Sequence, residues 1–192
     1  MKTKLISILL PLTALAFVSC STNMQPGVKE NPPPAFALRS AASYELRPLE
    51  VDEKIRKREP NVVRWMQDKI DAQVRPTIVQ WNSLENNKAS NKAKLIITPK
   101  VDKLKFISTG ERIMVGAFAG GSAIQTSFDI RDALSGQQIA NPIFYQHAHS
   151  WGSSYSYGAT DREMLNRVVQ LMNRYLVENY QQAVGGKTGD ES

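Results

Sequence analysis

The strongest periodic pattern lies near the carboxyl end of the chain. Apolar side chains recur there every three or four residues, which places them on one face of an α-helix. Thr160 and Glu163 have the spacing of a capping box at its start, and Gly185 and Gly186 are expected to end it. The apolar face comprises Met164, Leu165, Val168, Leu171, Met172, Tyr175 and Leu176.

A second amphipathic helix is predicted to begin near Pro60, which is tolerated in a first turn. Its apolar residues recur every four positions, with charged residues between them. Pro76 has no amide hydrogen, so it should kink or end this helix, and a second helical piece should continue to Trp81. The apolar residues of the first piece are Val62, Met66, Ile70 and Val74.

Alternating apolar and polar positions predict the strands. The alternation changes parity between Val101 and Leu104, which indicates a β-bulge near Asp102 or Lys103. Asp132 and Gly136 are typical of a hairpin turn, while residues 82–91 are polar and predict an exposed loop. The predicted strands cover residues 43–49, 95–106, 124–130 and 139–149.

The predicted order is strand, helix, three strands and a final helix. This order indicates an α+β fold, in which a mostly antiparallel sheet of about four strands carries the two amphipathic helices on one face. We expect one such domain over residues 42–183 and a disordered tail over residues 184–192.

The beginning of the chain has the form of a bacterial export signal. Lys2 and Lys4 precede an apolar run, and residues 1–19 are predicted to be a signal peptide. Phe17-Val18-Ser19-Cys20 resembles the lipobox of bacterial lipoproteins, which implies cleavage before Cys20, acylation of its thiol and attachment to a membrane. Ser21 resembles the outer-membrane sorting pattern, so we expect a lipid-anchored protein of the outer membrane that faces the periplasm.

A proline-rich segment follows the cysteine. Residues 20–41 include Pro32-Pro33-Pro34 and few large apolar side chains, so they are predicted to form a flexible tether. The tether would hold the domain tens of ångströms from the membrane.

Charge and cysteine content narrow the function classes. The net charge is +6, and removal of Lys2 and Lys4 with the signal would leave +4. Both signs are interleaved along the chain and export removes it from nucleic acid, so we expect no nucleic-acid partner. One cysteine cannot form an intramolecular disulfide, so the core alone must stabilise the domain.

The chain offers only weak candidates for chemistry. His147 and His149 would share one face of a strand and could bind a metal, but no third ligand is evident. Gly116–Ser122 has the composition of a phosphate loop without its signature, and close backbone packing explains it better. Asp129 and Asp132 are interpreted as a strand-surface residue and a turn residue rather than a carboxylate pair.

The segment from Ser150 to Ala159 combines small residues with three aromatic ones. Trp151, Tyr155 and Tyr157 could grip a sugar or a peptide, or they could simply cover the sheet edge. Its serines lack the nucleophile signature Gly-x-Ser-x-Gly. We therefore predict neither enzymatic activity nor a cofactor.

One family resemblance covers about residues 42–182. Arg112–Gly116, Gly120–Ala123, Asp132 and Ser135-Gly136 resemble the bacterial lipoproteins grouped as domain of unknown function 4410. The resemblance implies a glycine-rich turn before a strand, a hairpin after it and a last amphipathic helix. It also implies an architecture similar to the periplasmic α/β domain of the curli secretion lipoprotein. These motifs transfer a fold and no catalytic residue.

Together these patterns favour a non-enzymatic, lipid-anchored module that binds an envelope protein or polysaccharide. A subunit of an envelope secretion or transport assembly is the first alternative, and a hydrolase or metal carrier is the second.

Overall fold

The structure, a computed structural model, describes Met24 and residues 27–84, 93–106, 121–148 and 159–189. Within these ranges no helix is long and apolar enough to cross a membrane. The elements in chain order are β1 (Glu30–Asn31), a 3-10 turn (Leu38–Ser40), β2 (Ser43–Leu46), β3 (Glu50–Val51), α1 (Glu53–Arg58), α2 (Pro60–Gln73), α3 (Arg75–Ser83), β4 (Lys94–Lys105), β5 (Ala123–Asp132), β6 (Gln138–Ala140), β7 (Ile143–His147), α4 (Ala159–Gln181) and β8 (Gly186–Lys187).

The predicted fold class is confirmed: an antiparallel-rich sheet has helices packed against it. β4 and β5 form its centre, β6 and β7 pair antiparallel with β5, and β2 and β3 pair parallel with β4. The sheet has six strands rather than about four, because the predicted strand at residues 139–149 is divided into β6 and β7, and β3 forms just beyond the predicted strand at residues 43–49. Pro48 separates β2 from β3, and Pro142 separates β6 from β7, since neither can donate to the ladder.

The predicted bulge in β4 is also confirmed. The register of β4 against β5 shifts between Val101 and Lys103, which leaves Asp102 as the extra residue. Val101 remains on the face of the core, whereas Lys103 pairs with Gln125 on the opposite face.

The helices cover one face of the sheet. α4 packs on β5 and β7, α3 packs on β2, and α2 lies against α3 and α4. Three aromatic residues run through the core in edge-to-face contact: Phe128 and Phe144 lie 5.8 Å apart between ring centres, and Phe144 and Tyr175 lie 5.9 Å apart. Such contacts add to the burial of large apolar surfaces, so these three rings help to stabilise the core.

The predicted break at Pro76 is confirmed, but α1 was not predicted, and α4 ends at Gln181, before the glycines that were expected to end it. α2 ends at Gln73 and α3 begins at Arg75, as expected from Pro76. The predicted capping box is wrong, because α4 begins at Ala159, before Thr160. Glu163 instead forms an ion pair with Arg167, one turn further along, at 2.9 Å.

The predictions of a flexible tether to residue 41 and a disordered tail from residue 184 are wrong for the parts that the structure describes. β1 and β8 pair antiparallel, with Glu30 opposite Lys187 and Asn31 opposite Gly186. The hydroxyl of Thr188 donates to the carbonyl of Val28 at 2.9 Å. These two segments have no periodic pattern because each is short, and each finds its partner at the other end of the chain.

Side-chain amides close both edges of the sheet. At the β7 edge, Asn31 accepts from the amide of Ile143 at 2.7 Å and donates to its carbonyl at 2.8 Å. At the β2 edge, Asn82 accepts from the amide of Tyr44 at 2.9 Å and donates to its carbonyl at 2.8 Å. Each asparagine therefore pairs with one residue of an edge strand as a neighbouring strand would, which withdraws those backbone groups from pairing with another chain.

The two asparagines should differ in their contribution to stability. Asn31 is buried and Asn82 is exposed, so water can replace the second amide but not the first. We expect Asn31→Ala to lower the free energy of unfolding by about 3 kcal/mol and Asn82→Ala by about 1 kcal/mol. Urea denaturation measures both, and equal losses would contradict this account of the edges.

Stability should decline at high pH because of Tyr175. Burial raises the pKa of its hydroxyl to about 12, and the hydroxyl donates to the carbonyl of Pro32 at 3.1 Å. The folded protein therefore retains a proton that the unfolded chain loses near its ordinary pKa of 10.0, so stability falls as pH rises from that value. Tyr175→Phe should lose about 1 kcal/mol at neutral pH and show a weaker alkaline decline in urea denaturation.

Candidate functional site

Polar and charged side chains of β4 and β5 lie on the sheet face opposite the helices, which we call the outer face. Residues paired across strands share a face, so Lys100 on β4 lies beside Ser127 on β5. The alternation of β5 then places Asp129 and Arg131 on the same face. This face is predictable from strand parity alone.

An ion-pair network, which we call the charged network, crosses three strands of the outer face. The ammonium of Lys100 lies 3.2 Å from the carboxylate of Glu50 on β3 and 3.2 Å from that of Asp129. Arg131 Nε lies 2.9 Å from Asp129 Oδ1. Glu50, Lys100, Asp129 and Arg131 thus form one chain of alternating charge.

The network shifts the pKa values of its central members. Burial alone would raise the pKa of Asp129, but hydrogen bonds from Arg131 and Lys100 outweigh it and hold the pKa below its ordinary value. Burial alone would lower the pKa of Lys100, but its hydrogen bonds to Asp129 and Glu50 outweigh it and raise the pKa. Both groups are therefore charged across the whole range of ordinary pH.

Asp102 differs from Asp129 because the bulge turns it toward Ser127. Part of the residue faces solvent, but its carboxyl group lies among protein atoms, and this burial raises its pKa above the ordinary value. The hydroxyl of Ser127 donates to Asp102 Oδ1 at 3.0 Å, and the charges of Lys100 and Lys103 oppose the effect of burial.

An open groove of about 540 Å³ adjoins the charged network. Its floor includes Lys100 and the bulge, and one wall is the turn between β2 and β3. Cations and anions both line it, together with an apolar strip at Pro48, Leu49 and Val51. The lining residues are Arg47, Pro48, Leu49, Glu50, Val51, Asp52, Arg56, Lys100, Val101 and Asp102. Alternating donors and acceptors in a shallow, open groove suit the binding of an extended polar chain.

The other end of the outer face carries aromatic side chains. The ring of Tyr145 stacks on that of His147, with centres 5.9 Å apart and planes 23° from parallel. The metal-binding hypothesis named His147 together with His149, and His149 lies outside the described residues. Among the residues that are described, no three His, Cys, Asp or Glu side chains come together as metal ligands.

Some of the remaining predicted site residues lie outside the described residues, and others lie within them. Cys20, Trp151, Tyr155 and Tyr157 all lie outside the described residues. Asp132 is confirmed as a turn residue, because its carboxylate accepts from the amides of Leu134 and Ser135, both at 3.3 Å. The structure does not bring Asp129 and Asp132 together as an acid–base pair.

The sequence interpretation missed the site around Glu50 and Asp102. Parity would have placed Lys100 with Asp129, but Glu50 reaches them only through the parallel pairing of β3 with β4. That pairing joins segments 50 residues apart and leaves no local trace in the sequence.

Comparison with known proteins establishes no family. No protein-family model and no curated protein matches the chain. Similar solved structures include a PelC dodecamer from Paraburkholderia phytofirmans, at 13% identity and a TM-score of 0.41, covering 73% of this chain and 92% of that one. Another is a predicted lipoprotein from Caulobacter crescentus CB15, at 10% identity and a TM-score of 0.37, covering 76% and 93%. These TM-scores are too low to carry an argument about function.

The charged network should contribute to stability only above acidic pH. Asp129→Asn removes the carboxylate that Lys100 and Arg131 share, and we expect a loss of about 1 kcal/mol near neutral pH. Because the pKa of Asp129 is lowered in the folded state, its contribution disappears as pH falls below the ordinary value of 3.8. Urea denaturation near pH 7 and pH 3 measures this difference.

Asp68→Asn is the matched control for this change. Asp68 is exposed on α2, away from the charged network, so its replacement should leave stability within about 0.5 kcal/mol of the unaltered protein. An equal loss in the two variants would show that the network contributes nothing beyond a surface charge.

Proposed function

We propose that the protein is a non-enzymatic binding module attached to the outer membrane by an acylated Cys20 and facing the periplasm. The observation that carries the binding role is the open groove beside the charged network, which three cations and three anions line and in which Lys100 is held by Glu50 at 3.2 Å. The lipobox residues carry the location. The kinship to lipoproteins with domain of unknown function 4410 belongs to the same proposal.

The arrangement of charges favours an extended ligand with both donors and acceptors. Such a ligand is an envelope polysaccharide or a polar protein segment, since each can exchange its hydrogen bonds with water for bonds to the groove. Lys100 and Glu50, which both line the groove, are already paired with each other at 3.2 Å, so they lose little conformational freedom on binding.

The hydrogen bonds at the sheet edges make the alternative role, as a subunit of a secretion or transport assembly, less favoured. Because Asn31 and Asn82 occupy the hydrogen-bonding positions at Ile143 and Tyr44, a strand from another copy would have to displace these amides in order to pair there. An assembly would then use surfaces other than these two edge positions. We therefore place the binding module first.

Photo-crosslinking in cells tests this proposal. A photoreactive residue in place of Arg56, which lines the groove, should capture an envelope component, whereas one in place of Gln170 on the exposed side of α4 should not. Cys20→Ser should move the protein from the membrane fraction to the soluble periplasm. Equal capture at both positions would refute the groove as the site, and retention of Cys20→Ser in the membrane would refute the anchor.

A further inference from the structure

We infer that one end of the sheet rests on the membrane, and that its lysines and aromatic rings contact anionic phospholipid headgroups. This end, which we call the anchor end, comprises Lys103 and Lys105 of β4, Gln125 of β5, and Tyr145 and His147 of β7. The inference rests on the proposed acylation of Cys20, and it adds an orientation that the anchor alone does not specify.

The first step is the distance between the acylated cysteine and the folded domain. Met24 is buried, with 8% of its surface exposed, and hydrogen bonds to the sheet begin at Val28. A chain spans at most about 3.6 Å per residue, so four residues place Met24 within about 14 Å of Cys20. The domain therefore cannot stand tens of ångströms from the bilayer, as a tether to residue 41 would have allowed.

The second step is where the chain joins the fold. The amide of Thr188 donates to the carbonyl of Lys29 at 3.0 Å, and the amide of Tyr145 donates to the carbonyl of Thr188 at 2.7 Å. Tyr145 pairs with Gln125, which in turn pairs with Lys103. These bonds place the first hydrogen-bonded residues of the chain level with the anchor end.

The opposite end of the sheet is far from the membrane in this arrangement. The hairpin turn follows Asp132, the last residue of β5. At a rise of about 3.4 Å per residue, the turn lies roughly 25 Å from Gln125 along the strand. The segment from Val28 to Ala35 runs along the β7 and β6 edge toward that turn, since Ala35 donates to the carbonyl of Ile139 at 2.9 Å. The strands are thus expected to point away from the bilayer.

The third step is the chemistry of the anchor end. Lys103 and Lys105 are exposed and, by strand pairing, lie on the same face as the stacked rings of Tyr145 and His147. Lys29 and Lys187 add two exposed cations from the paired terminal segments. The carboxylates of Glu30 and Asp102 lie at the same end and carry the opposite charge. The exposed ammonium groups of these four lysines, among the described residues of this end, suit phosphate-bearing headgroups. Tyrosine rings favour the same interface.

Headgroup quenching of a fluorescent label tests the orientation. The full acylated protein is reconstituted in vesicles of phosphatidylglycerol and phosphatidylethanolamine that carry a quencher on some headgroups. Acylation consumes the thiol of Cys20, the chain's only cysteine, so an introduced cysteine is the single labelling site. Gln125→Cys reports the anchor end and Gln137→Cys, a matched glutamine in the hairpin turn, reports the opposite end.

We expect several-fold stronger quenching at position 125 than at position 137. In the background of Lys103→Gln and Lys105→Gln, the ratio should fall toward one with phosphatidylglycerol present. Equal or stronger quenching at 137 would overturn the inference, and so would a ratio that the lysine changes leave unaltered. Protection of position 125 in cells without preferential quenching in vesicles would assign this surface to another partner and would also overturn it.

Flotation of the vesicles separates this failure from failure of the anchor. If Cys20→Ser floats with vesicles as well as the unaltered protein does, the proposed acyl anchor is wrong. If only the acylated protein floats but the two labels are quenched equally, the anchor stands and the orientation is wrong.

Discussion

The pairing of the two terminal segments at the β7 edge is the constraint on which the rest of the structure depends. Asn31 closes that edge with two hydrogen bonds to Ile143, and Thr188 joins the same segment to Tyr145. Because these groups are withdrawn from water, losing one partner leaves the other unsatisfied, and the whole edge is held as a unit. The same bonds fix where the chain leaves the domain toward Cys20.

Among the described residues, the outer face of the sheet offers exposed side chains for binding, such as Lys103, Lys105 and Arg131. The helices occupy the other face, and Asn82 blocks the β2 edge as Asn31 blocks the β7 edge. The outer face then divides between the charged network around Lys100 and Asp129 and the lysine and aromatic groups near Tyr145. This division fits the two proposals, in which the charged network adjoins the ligand site and the lysine and aromatic groups contact the membrane a short distance away.

Features that depend on residues close together in the sequence were predicted better than features that depend on distant residues. The break at Pro76, the bulge at Asp102 and the turn at Gly136 follow from properties of those residues or their immediate neighbours, and the structure has all three. The tether and tail predictions failed at β1 and β8, since neither two-residue strand has a period of its own. Half of the candidate site could be predicted from local sequence as well. Strand parity places Lys100 and Asp129 on one face, but it does not place Glu50 beside them.

The sequence by itself therefore determined the amphipathic helices α2 to α4, the central strands and their inner and outer faces, because burial of one face imposes a period that each segment carries alone. Only the tertiary structure decided the parallel pairing of β3 with β4, the union of the terminal segments and the closed edges. These features depend on hydrogen bonds between backbone groups that every residue possesses, so the sequence does not mark which groups will meet. Asn31, which a composition-based interpretation places in a flexible tether, is for that reason among the most constrained residues of the fold.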